Sequence, residues 1–131
     1  KVAGLQQLAA RVAERSPFIL VDYKEKLEGR IAELLDNAAV DAERLAQEVA
    51  YFAEKSCIDE ELVRLQSHFE QFYQIAEQKG SIGRKLDFLI QEMNRETNTI
   101  GSKANDLETG RLVVEMKSEL EKVREQVQNI E

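Results

Sequence analysis

Val113, Met116, Leu120, Val123, Val127 and Ile130 recur at alternating steps of three and four. An α-helix gathers positions at that spacing into one stripe, so this part of the chain reads as a long helix with a coiled-coil-like apolar seam. Residues that interrupt helices are scarce everywhere else: one Pro and six Gly in 131 residues. A sheet-rich fold needs many more turns than that punctuation supplies. Leu, Glu, Ala, Lys, Gln and Arg dominate, and all are good helix formers. The expected fold is therefore all-α, an antiparallel bundle or set of hairpins of long helices closed by the coiled-coil-like one. Residues 1–131 form a single helical domain in this reading, a length sufficient for one buried core.

Six helical segments are expected. The first runs from Val2 to about Arg15. Ser16-Pro17 then either starts a new helix, with Ser as N-cap and Pro at the first helical position, or only kinks one long helix. The second carries Leu20, Leu27, Ile31 and Leu34 and closes at Asp36-Asn37. Asp41 is the N-cap of the third, whose apolar face is Leu45, Val49 and Phe52. Asp59 is the expected cap of the fourth, with Glu60 and Glu61 in the first turn, where the helix dipole favours negative charge. Leu62, Leu65, Phe69, Phe72 and Ala76 make its seam. Gly80-Ser81 ends that helix and caps the fifth, built on Ile82, Leu86, Leu89, Met93 and Ile100, with Gly101 loosening its end. The fourth and fifth should form an antiparallel hairpin across Lys79-Gly80, with Phe69 and Phe72 near Leu86 and Leu89. The sixth begins near Asp106.

The net charge of −7 argues against a protein that simply coats nucleic acid, but not against a nuclease whose carboxylates hold a divalent metal. Cys57 is the sole cysteine, so no disulfide forms within the chain, and a reducing cytoplasm is the plain reading. No apolar run approaches a membrane span, and no signal peptide is visible. Lys1 stands where an initiator Met would, and helical periodicity begins at once. The expectation is a start inside a longer protein.

The stretch from Gly83 to Ile100 has an unusual polar face. On a helix, Asp87, Gln91, Asn94 and Asn98 line one stripe, while Lys85, Glu92, Glu96, Thr99 and Lys103 line another at the border of the apolar face. Asn and Thr each cost roughly half a kcal/mol relative to Ala in a helix. Four of them between Asn94 and Thr99 suggest side chains kept for contacts, either with a ligand or in a polar network between helices, unless the helix frays after Arg95. His68 is the only histidine, and Glu61, Arg64 and His68 follow one another at steps of three and four along the preceding helix. An imidazole with a carboxylate one or two turns away can bind a divalent metal or be held as a general base, although a lone His is more often a boundary residue satisfied by a neighbour. From Gly80 to Lys103 four cations (Arg84, Lys85, Arg95, Lys103) face three anions (Asp87, Glu92, Glu96), so this helix is the least repulsive place for a polyanion.

Three blocks carry a family likeness: Asp59 to Phe69, Gly83 to Phe88 and Gln91 to Ala104. They resemble the C-terminal domain of the YicC-like family of bacterial endoribonucleases, and Glu125 to Glu131 resembles that family's C-terminus. The resemblance implies the C-terminal half of a stress-associated, cytoplasmic, metal-dependent endoribonuclease that assembles into hexamers, here without its N-terminal domain. It further implies RNA as substrate and Mn²⁺ or Mg²⁺ as cofactor. Glu61, His68, Asp87, Glu92 and Glu96 are the candidate metal ligands, and His68, Glu61, Glu92 and Glu96 the candidate catalytic groups. Arg64, Arg84, Lys85 and Arg95 are the candidate phosphate contacts. Asp87, on a different stripe, is the weakest ligand candidate. The alternative is a non-catalytic helical assembly or RNA-scaffold module whose polar stripes are subunit contacts, with any chemistry lying in the missing domain.

Overall fold

The computed structural model describes residues 2–35, 41–78, 80 and 82–130. Five helices follow one another: α1 Val2–Leu35, α2 Ala42–Ser56, α3 Asp59–Ala76, α4 Gly83–Ala104 and α5 Leu107–Ile130. No strand occurs among the described residues. The expected stop at Asp36-Asn37, the turn residue Lys79 and the cap Ser81 lie outside them.

Where two helices were possible before and after Pro17, the chain makes one helix of 34 residues, about 51 Å long at 1.5 Å per residue. Pro17 removes one amide donor and leaves the Ala13 carbonyl without its usual partner. Both residues sit on the exposed side of α1, where water can take that bond. The first half of α1 lays Val2, Leu5, Ala9 and Val12 into the core. In the second half, Leu20, Leu27 and Ile31 are only half-buried. α2 folds back on α1, fixed by a stacked Tyr23–Phe52 pair with ring centroids 3.8 Å apart. Asp41 caps α2 as expected, accepting from the Glu43 and Arg44 amides at 3.0 and 3.3 Å.

α3, α4, α5 and the first half of α1 build the main core. The α3–α4 hairpin forms as expected, and Phe69, Phe72, Leu86 and Leu89 are buried in one cluster with Met93, Ile100, Met116 and Leu120. Asp59 does not cap α3. Ile58 holds the cap position without a side-chain bond and is itself fully buried, so an apolar anchor sets the start of the helix while Asp59, Glu60 and Glu61 occupy its first turn. Gly101 does not end α4 either. The helix runs on to Ala104, and a Cβ at Gly101 would stand 3.2 Å from Val113 Cγ1. The missing side chain lets α4 and α5 approach closely. Asn105, in the left-handed region at φ 46°, then reverses the chain. The seam Val113, Met116, Leu120, Val123 and Val127 is buried within the chain against α4 and α1; the side chain of Ile130, like that of Leu34, lies outside the description.

A polar clasp joins α1 to the start of α5. Asp106 accepts from the Thr109 amide at 3.0 Å and its hydroxyl at 2.8 Å, acting as the cap of α5. Arg15 donates to both Asp106 oxygens, at 3.1 and 2.9 Å, and to Asp22 at 2.6 Å. The guanidinium, with help from the Thr109 bonds, pulls the Asp106 carboxyl from 3.8 down to about 2. A depressed acid contributes stability above its unfolded value and loses it as pH falls toward its folded value. Asp106→Asn keeps a good cap but loses the charge. It is expected to cost on the order of 1–2 kcal/mol at pH 5 and almost nothing at pH 2, by urea melts of the two proteins at each pH. An equal cost at both values would show that the ion pair contributes nothing.

Candidate metal centre

The α3–α4 hairpin brings the polar borders of two amphipathic helices side by side. Leu65 and Phe69 anchor α3 in the core, which leaves His68 at the rim of the buried face. Met93, Thr97 and Ile100 anchor α4. Thr97, fully buried, satisfies its hydroxyl by donating to the Met93 carbonyl at 2.8 Å. Glu92 and Glu96, next to these anchors and one turn apart, therefore point at the same rim. Ligand atoms of His68, Glu92 and Glu96 all lie within 4.8 Å of one another.

A charge network supports the three. Arg64 Nε donates to Glu96 Oε2 at 2.9 Å, and that bond raises the Arg64 pKa above its usual value. The Arg64 guanidinium also lies 3.9 Å from Glu61 Oε1 and 3.7 Å from Glu60. Glu61 is fully buried, a position a carboxylate holds only when paired. Its partner is Lys103, which donates to Oε1 at 2.5 Å and whose pKa is raised by that bond. Arg95 approaches Glu92 at 3.8 Å. Among the described residues, the buried side-chain atoms His68 Nδ1 and Glu61 Oε2 have no hydrogen-bond partner. Leaving a buried polar atom unmatched costs about 1–3 kcal/mol. One imidazole and two carboxylates form a donor set compatible with Mn²⁺ or Mg²⁺.

Residues 12–131 match the family model described as endoribonuclease YicC-like, C-terminal. The chain belongs to this family. It is 59% identical over 121 residues to a probable endoribonuclease YicC of Clostridioides difficile (strain 630), covering 92% of this chain and 41% of that protein. It is 38% identical over 121 residues to a probable endoribonuclease YicC of Haemophilus influenzae (strain ATCC 51907 / DSM 11121 / KW20 / Rd), covering 92% of this chain and 42% of that protein. The chain thus spans about two fifths of the length of these curated relatives. No described helix is long and apolar enough to cross a membrane.

Of the residues singled out in the YicC-like sequence, the structure gathers His68, Glu92 and Glu96, with Arg64 beside them. Glu61 stands behind Arg64 and is taken up by Lys103 rather than joining the three. Asp87 lies apart. It accepts from Gln91 Nε2 at 3.1 Å, one turn along the same helix, and is not among the three donors that converge. Arg84 and Lys85 are exposed and approach no carboxylate within 4 Å among the described residues. Arg64, read as a phosphate contact, donates to Glu96. The part missed in the sequence is Lys103 as the partner of Glu61. Its signal was present, since Lys103 falls seven residues after Glu96 on the same stripe.

Proposed function

We propose that this domain supplies a divalent-metal centre for hydrolysis of RNA phosphodiester bonds, with His68, Glu92 and Glu96 as ligands. The observation that carries the reading is the convergence of these three donors from two helices, with the His68 ring nitrogen buried and unpaired. The names of the relatives support RNA as the substrate class. A bound Mn²⁺ or Mg²⁺ supplies an activated water and neutralises charge on the cleaved phosphate. The chain's own residues do the positioning. Arg64 holds Glu96 by Oε2. Glu61, held by Lys103, lies 3.9 Å from the Arg64 guanidinium and adds to its hold. Arg95, exposed beside Glu92, is placed to meet a phosphate.

The α5 seam offers no open face for a coiled-coil partner, because it is filled within the chain against α4 and α1. The test uses the full-length protein. Saturation with Mn²⁺ at about 100 times Kd should stabilise the wild type by about 2.7 kcal/mol. His68→Ala and Glu92→Gln should lose that increment and lose cleavage of single-stranded RNA, while their metal-free melting temperature stays unchanged. Mn²⁺-dependent cleavage near the wild-type rate in both variants would end the assignment.

A further inference from the structure

The polar face of α4 is wider than the metal centre uses. Arg84, Phe88, Arg95 and Thr99 share its outermost stripe, and Phe88 precedes Glu92 by one turn. Phe88 is 60% exposed, the one large apolar side chain of α4 among the described residues left in solvent. It is not part of a broad apolar patch of the kind that marks a protein interface, since its stripe neighbours are two arginines and a threonine. On one side of this stripe stand Glu92, Glu96 and His68. On the other lies a groove of about 300 Å³ between α4 and α5, lined in part by Gln91, Asn94, Lys117 and Arg124. Asn94 makes no side-chain hydrogen bond among the described residues, and Lys117 and Arg84 approach no carboxylate within 4 Å there. Gln91 spends only its amide nitrogen, on Asp87. Asn94, which stood out in the sequence as costly in a helix, thus has no side-chain hydrogen bond among the described residues that accounts for it.

We propose that this face is a track for single-stranded RNA leading into the metal centre. Phe88 stacks on one unpaired base. Arg84 and Arg95 take the phosphates flanking it, and Gln91 and Asn94 meet the edge of the next base over the α4–α5 groove, where Lys117 offers a further cation. The inference rests on the reading of the domain as an RNA-cleaving one. The chemistry selects single strands because an aromatic ring and free amides address base faces and edges, which a duplex keeps stacked and paired. The ring is flanked by Arg84 and Arg95 and borders the amides and Lys117 of the groove, which Glu121 also lines, a polar surround that fits a nucleic acid better than a protein helix.

The experiment measures RNA binding by the full-length protein in EDTA, using the anisotropy of a short labelled single-stranded RNA and of the same sequence as a duplex. Phe88→Ala should weaken single-strand binding about tenfold, since one base–aromatic stack is worth a factor of that order or more, and Phe88→Trp should restore it. Duplex binding should change less than about twofold, because it calls on phosphates alone. Wild-type affinity in Phe88→Ala overturns the track. So does a loss of affinity accompanied by a change in oligomeric mass, which would make Phe88 a subunit contact. Binding in EDTA does not call on the metal, so a protein that binds single strands through Phe88 yet takes up no Mn²⁺ supports the track and overturns the metal centre. A wild-type protein that binds no RNA overturns both.

Discussion

Leu120→Asp is expected to unfold the chain or bring it to the edge of unfolding. Leu120 is 2% exposed, in the middle of the α5 seam. Its side chain contributes about 1.5–3 kcal/mol through burial. The replacement adds the cost of holding a carboxyl where no donor is available, a further few kcal/mol. The total is on the order of 4–6 kcal/mol against a domain stability of about 5–15 kcal/mol. A urea melt followed by far-UV circular dichroism would show a midpoint near zero or a pre-melted chain. Leu107→Asp is the matched control on the same helix, because Leu107 is 74% exposed. Equal midpoints for the two variants would mean that the seam is not buried in solution.

The second large effect is Phe69→Ala. Phe69 is 1% exposed and adjoins His68 in sequence. Truncating a buried Phe costs about 3–5 kcal/mol through lost transfer and the cavity left behind. Phe88→Ala, in the same hairpin but exposed, should cost less than about 0.5 kcal/mol. The comparison separates the phenyl that holds the hairpin from the one that faces solvent. Comparable losses in the two would contradict the packing described.

The periodicity of apolar residues was sufficient for the helices, their hairpin pairing and the seam, because helix formation and the pairing of neighbours across short turns are local matters. The Pro17 ambiguity was not resolvable in that way. A proline inside a helix is tolerated when its free carbonyl faces water, which depends on which side of α1 the rest of the fold covers. The same limit applies to Asp59, displaced from the cap by the burial of Ile58, a contact that no local pattern announces. At the candidate site, stripe geometry placed His68, Glu92 and Glu96 on facing borders. It could not distinguish Glu61 from them, because the rotation of α3 against α4 decides which carboxylate meets Lys103. The Arg15–Asp106 clasp was invisible, since its partners are 91 residues apart and neither lies in a motif.

That separation bears on how the molecule comes to be made. α1 runs antiparallel to α5, with Gly4 beside Glu119 and Arg15 beside Asp106. The stripe Val2, Leu5, Ala9 and Val12 is translated roughly a hundred residues before the α5 surface that covers it. At about 5–20 residues per second the interval is on the order of 5–20 s. The α3–α4 hairpin, complete by Ala104, can form in the meantime, while the first apolar stripe waits uncovered. Vectorial synthesis therefore leaves this stripe open to chaperones and to aggregation until α5 docks and closes the window.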